Sequence, residues 1–220
     1  MKSRLIRWVF LLVIGLGIGS AIGYLQAQNE MDGGAIPLSP DAQGKATILK
    51  KTSSSQVKGS SAVGGDFALV DHNGKDVTQA DYAESYKMVF FGFTFCPAVC
   101  PTELQKVSVI LNELGEAGDK ITPIFITVDP ERDNVTVMKE YVEQFHPRLV
   151  GLTGTQEQID NVKKSYRVYA SKVENDMMDE YMMDHSAFLY LMDTENNLVA
   201  MYPSKDTAVQ IAEDIKAKDL

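Results

Sequence analysis

Cysteine is used twice in the 220-residue chain, at Cys96 and Cys100, inside the run FTFCPAVCPTEL. A strand-like apolar segment precedes the pair and a helix-like segment follows, so both thiols fall at a helix N-terminus. Free backbone N–H groups and the helix dipole favour a thiolate at such a place. A spacing of four residues lets both sulfurs approach one point on a first helical turn. Two soft thiolates and one imidazole suit Cu(I), and with an added ligand they also hold Cu(II). Oxidised, the same pair closes a local disulfide, which makes it a candidate redox couple. A purely structural disulfide over so short a loop would gain little chain entropy. A structural zinc site would want four ligands, and too few are at hand.

The imidazole is expected from His185. His72 lies in a polar turn and His146 stands at a helix end before Pro147, so both read as surface residues. His185 occurs in YMMDHSAFLY, directly ahead of a buried strand. A loop entering an edge strand can lie across from the redox helix. The candidate site is therefore Cys96 and Cys100 as redox thiols and metal ligands, with His185 as the third ligand. Met177, Met178, Met182 and Met183 crowd seven residues just before it. Their thioethers are able to pass Cu(I), and they serve equally well as adaptable packing or a partner surface.

The elements that must position these residues follow from hydrophobic pattern. Residues 88–93 (MVFFGF) and 121–128 (ITPIFITV) are continuous apolar runs of strand length, expected to be buried on both faces. Pro101 fits the first position of a helix whose stripe is Leu104, Val107, Leu111 and Leu114, closed by Gly115 and Gly118. Residues 67–70, 149–152, 186–192 and 198–202 read as further strands, with residues 71–74 and 193–197 as turns. Helices are expected over 135–145, from Thr155 with Gln158 as capping-box partner, and over 206–216. A hairpin is expected to begin within 166–173. This order gives an α/β fold, a thioredoxin-like central mixed sheet flanked by helices, with an antiparallel edge.

Three regions are expected: an N-terminal membrane anchor (1–27), a flexible linker (28–62) and the folded domain (63–220). Residues 8–25 form an uncharged apolar run that spans ~27 Å as a helix, close to a bilayer core. It is long for a signal peptide and no A-x-A site follows. Gly15, Gly19 and Gly23 would permit helix pairing there. The linker is rich in Gln, Ser, Lys, Gly and Asp, with residues 46–49 as a stray apolar patch. Lys2, Arg4 and Arg7 precede the run, and taking their +3 from the net charge of −9 leaves −12 on the rest. The positive-inside rule then puts the body outside the cytoplasm. A periplasmic domain on an inner-membrane anchor is expected, ahead of a mitochondrial intermembrane-space protein, because no Arg- and Ser-rich transit peptide is present. The acidic charge argues against a nucleic-acid partner.

Four motifs carry a family resemblance: GGDFAL (64–69), FFGFTFCPAVCPTEL (90–104), VDPERD (128–133) and YMMDHS (181–186). Their order and distances resemble the Sco/SenC family, copper proteins that help to assemble the copper centre of cytochrome c oxidase. The resemblance covers residues 63–217. It implies a thioredoxin-like fold and copper ligation by Cys96, Cys100 and His185. It also implies a supporting, non-ligating Asp129, and it leaves the role of Asp184 open. Implied partners are an apo-oxidase copper subunit, other copper carriers and thiol reductases. The chain departs from the family at Ala98, where an acidic residue is common, and at Phe95, where histidine is frequent. Neither departure removes a ligand.

Two functions remain after this reading. The first is a membrane-anchored copper chaperone for oxidase assembly, holding copper at Cys96, Cys100 and His185. The second is a thiol–disulfide oxidoreductase that needs the cysteines but not His185. A dinuclear-copper electron carrier is disfavoured because no histidine shortly follows Cys100, and a peroxidase because no arginine and threonine setting can be placed.

Overall fold

The structure is a computed structural model that describes residues 63–174, 180–218 and 220. The expected anchor over 1–27, the linker over 28–62, the patch at 46–49, and Met177 and Met178 lie outside the described residues. Among the described residues, no helix is long and apolar enough to cross a membrane.

A seven-stranded mixed sheet forms the centre. Its strands are β1 (Ala68–Asp71), β2 (Asp76–Thr78), β3 (Tyr86–Gly92), β4 (Ile121–Thr127), β5 (Val150–Thr153), β8 (Phe188–Met192) and β9 (Leu198–Pro203), in the spatial order β2-β1-β5-β4-β3-β8-β9. A separate ribbon pairs β6 (Ala170–Val173) with β7 (Met182–His185). The helices are α1 (Val99–Leu114), α2 (Glu116–Asp119), α3 (Val135–Val142), α4 (Gln156–Tyr166) and α5 (Ala208–Lys216).

β3 and β4 are apolar almost throughout because they lie at the centre of the sheet. Val89, Phe90, Phe91, Ile124, Phe125 and Ile126 are all buried, as continuous apolar runs demand. The two strands pair in parallel from Tyr86↔Ile121 to Gly92↔Thr127, so both end at one edge. β8 pairs antiparallel on the other side of β3, with Phe90 opposite Leu189. The chain therefore enters β8 at the edge where β3 and β4 end. Two loops and one strand entry meet there, and this register alone brings residues near 95, 130 and 186 together.

Capping marks the helices at sequence level. Thr155 caps α4 and Thr207 caps α5, each in a box with a glutamine three residues on. An aromatic cluster of Phe91, Tyr166 and Tyr190, with ring centroids 5.2 to 6.0 Å apart, ties α4 to the sheet.

The architecture is the expected mixed α/β sheet with flanking helices. Several details differ. β2 and the 3-10 turn Gln79–Tyr82 were not expected, since three residues are too few to show a period. α1 starts at Val99, so Pro101 is its third residue and Cys100 lies within its first turn. α1 ends at Leu114 with Gly115 as its C-cap, as expected, but an additional short helix, α2, follows directly. α3 stops at Val142 rather than 145. His185 ends a strand, β7, instead of lying in an open loop.

Candidate metal centre

Cys96 and Cys100 sit between the end of β3 and the first turn of α1. The loop leaves the sheet at Phe93 and turns back, with the Cys96 amide donating to the Phe93 carbonyl at 3.3 Å. Asp133, fully buried, holds this loop. One of its carboxylate oxygens accepts from the Thr94 hydroxyl at 2.6 Å, and the other from the Thr94 amide at 3.0 Å and the Thr127 hydroxyl at 2.6 Å. Burial, which disfavours a charge, raises the pKa of Asp133 against these hydrogen bonds.

The helix start has an unusual cap. Ala98 occupies the N-cap position and offers no side-chain acceptor. The Cys100 amide instead donates to Cys96 Sγ at 3.4 Å. The Cys96 sulfur thus takes the place that an Asp or Ser oxygen usually fills at a helix N-terminus. The Cys96 thiol falls from its ordinary value to about 5, chiefly through a hydrogen bond from the Cys100 thiol and then through the amides of Cys100, Ala98 and Val99. Cys100 moves the opposite way, far above the ordinary thiol range, because its thiol donates a hydrogen bond to Cys96 and is buried. Both are free thiols. Cys96 is the half-exposed member, between exposed Phe95 and Val99.

Gly92 explains how closely Cys100 approaches the sheet. A Cβ built on Gly92 would lie 2.7 Å from Cys100 Sγ and 2.9 Å from the Phe125 ring. Only a residue without a side chain leaves that sulfur its seat.

His185 arrives from β7. Its Nε2 lies 3.6 Å from Cys100 Sγ, across 85 residues of chain. Its Nδ1 is 3.1 Å from the Ser186 carbonyl, an oxygen that can only accept. The ring proton is therefore assigned to Nδ1, which leaves the Nε2 lone pair facing the sulfur. Phe90 and Phe93 meet the imidazole edge-on at 6.2 and 5.8 Å and fix its plane. The structure thus brings together the three residues singled out in the sequence. Among the described residues, no three His, Cys, Asp or Glu side chains already surround one point as a metal cage would. The donors instead approach in pairs, Cys96 with Cys100 and Cys100 with His185.

The other expectations divide. His72 and His146 are half-buried rather than surface residues. The His72 Nδ1 accepts from the Gly151 amide at 3.1 Å and the His146 Nδ1 from the Arg148 amide at 3.2 Å, so both serve the backbone. Asp129 is buried. It accepts from Arg132 Nε and from the Tyr181 hydroxyl, the latter at 2.7 Å. Asp184 is exposed on β7. Met182 and Met183 are partly buried against the core, which favours packing over the other readings for these two. Sequence reasoning missed Asp133, Thr94, Arg132, Tyr181 and Gly92. The VDPERD run held the signal for two of them, since a strand that ends in so many charges beside a buried thiol pair must spend them on something.

The family model described as SCO1/SenC matches residues 55–218. The protein "SCO1 homolog 1, mitochondrial" of Arabidopsis thaliana is 46% identical over 145 residues, 66% of this chain and 43% of its own length. The chain therefore spans less than half of that relative. The "SCO2-like protein" of Rickettsia felis is 34% identical over 217 residues, covering 98% of each chain. Among solved structures, Bradyrhizobium japonicum ScoI with copper bound is 45% identical, with a TM-score of 0.65 over 71% of this chain and 99% of that one.

Proposed function

Because the chain belongs to the SCO1/SenC family, we propose that it is a copper-binding protein of cytochrome c oxidase assembly, with Cys96, Cys100 and His185 as its ligands. The observation that carries this reading is the approach of His185 Nε2 to Cys100 Sγ at 3.6 Å from 85 residues away, with its lone pair forward. The donor set fits copper. Two sulfurs, one already a thiolate and one deprotonated on binding, and a neutral imidazole are soft and borderline ligands of the kind Cu(I) prefers. Copper is cargo in this reading, received and passed on to an apo-oxidase copper subunit. The chain's own residues do the rest: α1 stabilises the first thiolate, Gly92 seats the second sulfur, and Ser186 sets the tautomer.

Copper titration of the reduced full-length chain tests it. About one equivalent is expected to bind, with strong losses in Cys96→Ser and Cys100→Ser and weaker binding in His185→Ala. Stoichiometry well below one, or binding indifferent to His185, overturns the assignment.

A second reading rests on the opposite shifts of the two thiols. Cys96, thiolate and half-exposed, is set to attack a partner disulfide, forming a mixed disulfide and releasing the partner's first thiolate. Cys100, once deprotonated, then attacks Cys96 Sγ. That step leaves a Cys96–Cys100 disulfide and a partner dithiol, two electrons having passed to the partner. This exchange does not need His185, so a His185→Ala variant that keeps reductase activity separates it from copper delivery.

The apolar run of residues 8–25 would hold the domain on the outer face of a membrane, where such partners are found.

A further inference from the structure

His185 belongs to no part of the main sheet. Its ribbon pairs four residues of β6 with four of β7. A two-stranded ribbon of that length is marginal by itself. At one end it is tied to the core, because β8 begins three residues after His185. The position of the other end must come from side chains.

Those side chains converge on Arg132, in the loop between β4 and α3. Arg132 Nη1 donates to the Tyr181 carbonyl at 2.9 Å, and Tyr181 immediately precedes β7. Arg132 Nε pairs with Asp129, whose other oxygen takes the Tyr181 hydroxyl. The guanidinium carbon lies 3.7 Å from the centre of the Tyr181 ring and 4.9 Å from that of Phe95, the residue before Cys96. Phe93 adds a third ring at 5.8 Å. Arg132 Nη2 is buried and finds no hydrogen-bond acceptor among the described residues. The planar cation thus rests on aromatic faces, as arginine does and lysine does less well. Lys172 of β6, ion-paired with Glu131, covers the same Tyr181 ring at 4.5 Å.

We infer that Arg132 is a positioning residue that locks the His185 ribbon to the cysteine loop through Phe95 and Tyr181, and so holds the imidazole against the sulfurs. This rests on the copper reading for its consequence, though the lock itself is a property of the metal-free chain. The loop over 129–133 then works as a bracket. Asp133 grips Thr94, two residues before Cys96, and Arg132 grips Tyr181, four residues before His185.

The test uses the full-length chain with Arg132→Lys and Tyr181→Phe, which keep charge and bulk respectively and avoid stranding Asp129 as an unpaired buried charge. Hydrogen exchange in the metal-free protein should accelerate about tenfold at Met182–His185 and stay unchanged in β3 and β4. Copper affinity should fall about tenfold, as for other partners that orient metal ligands, and should fall no further when either change is added to His185→Ala. Unchanged ribbon exchange overturns the inference. So does a copper loss that persists in the His185→Ala background, because it would mean a general structural effect. If the unaltered chain takes up no copper, the functional reading fails while the exchange measurement still decides the lock.

Discussion

At the scale of the residue, the decisive asymmetry is between the two thiols. Cys96 is held down to about 5 by its hydrogen bond from Cys100 and by the amides of the first turn. Alkylation of the reduced chain by iodoacetamide should therefore switch on with a midpoint near pH 5 and stay level to pH 9, with Cys100 protected. Ala98 is part of the cause, because an N-cap without an acceptor leaves the helix amides to the sulfur. Ala98→Asp places a competing acceptor and a like charge there, so the midpoint should move upward. A midpoint that stays put would mean the cap is irrelevant to the thiolate. The sign for stability follows from the same shift. A depressed thiol contributes stability that is complete above its unfolded value of 9.0 and is lost as pH falls toward 5. The stability gap between the reduced chain and Cys96→Ser should accordingly narrow between pH 9 and pH 5 in denaturant melts.

At the scale of the element, strand ends and helix starts are matched to small clearances. Gly92→Ala would put a methyl 2.7 Å from Cys100 Sγ and 2.9 Å from Phe125. Overpacking of that kind costs about 1–3 kcal/mol, which a shift of the denaturation midpoint would measure. It should also displace the sulfur and raise the reactivity of Cys100. Gly151→Ala, which crowds Val142 on α3 at 2.8 Å, serves as the contrast. It should lower stability without changing thiol chemistry. The β4–α3 loop carries a separate burden. Asp133→Asn replaces one acceptor oxygen by a donor among hydroxyls and an amide that need acceptors, at a cost of roughly 1–3 kcal/mol. Proteolysis in the 94–98 loop should speed up with it, and a loop as resistant as before would argue against Asp133 as its holder.

At the scale of the whole molecule, an acidic domain is joined to a short basic, apolar N-terminal stretch. If residues 8–25 span a bilayer, the full-length chain should sediment with membranes and resist alkaline washing, and protease added outside the cell membrane should reach the domain. Recovery of the chain in the soluble fraction would remove the anchor from the proposal. By itself, the sequence determined the thiol pair and its seat between strand and helix, the α/β order of elements, and His185 as the histidine worth attention. These are local matters: residue type, hydrophobic period and capping act over a few positions, and the chain states them directly. The hairpin expected to begin within 166–173 is the β6–β7 ribbon, but the bounds of β7 were not legible, since four residues paired with four outside the main sheet leave no periodic trace. The tertiary structure alone decided that His185 faces Cys100, that Asp133 holds Thr94, and that Arg132 joins Phe95 to Tyr181. The meeting of Asp133 with Thr94 depends on β4 running parallel to β3, and the approach of His185 and Tyr181 on β8 running antiparallel to β3. Strand order and direction result from burying all the apolar faces at once, so no short stretch of sequence contains them.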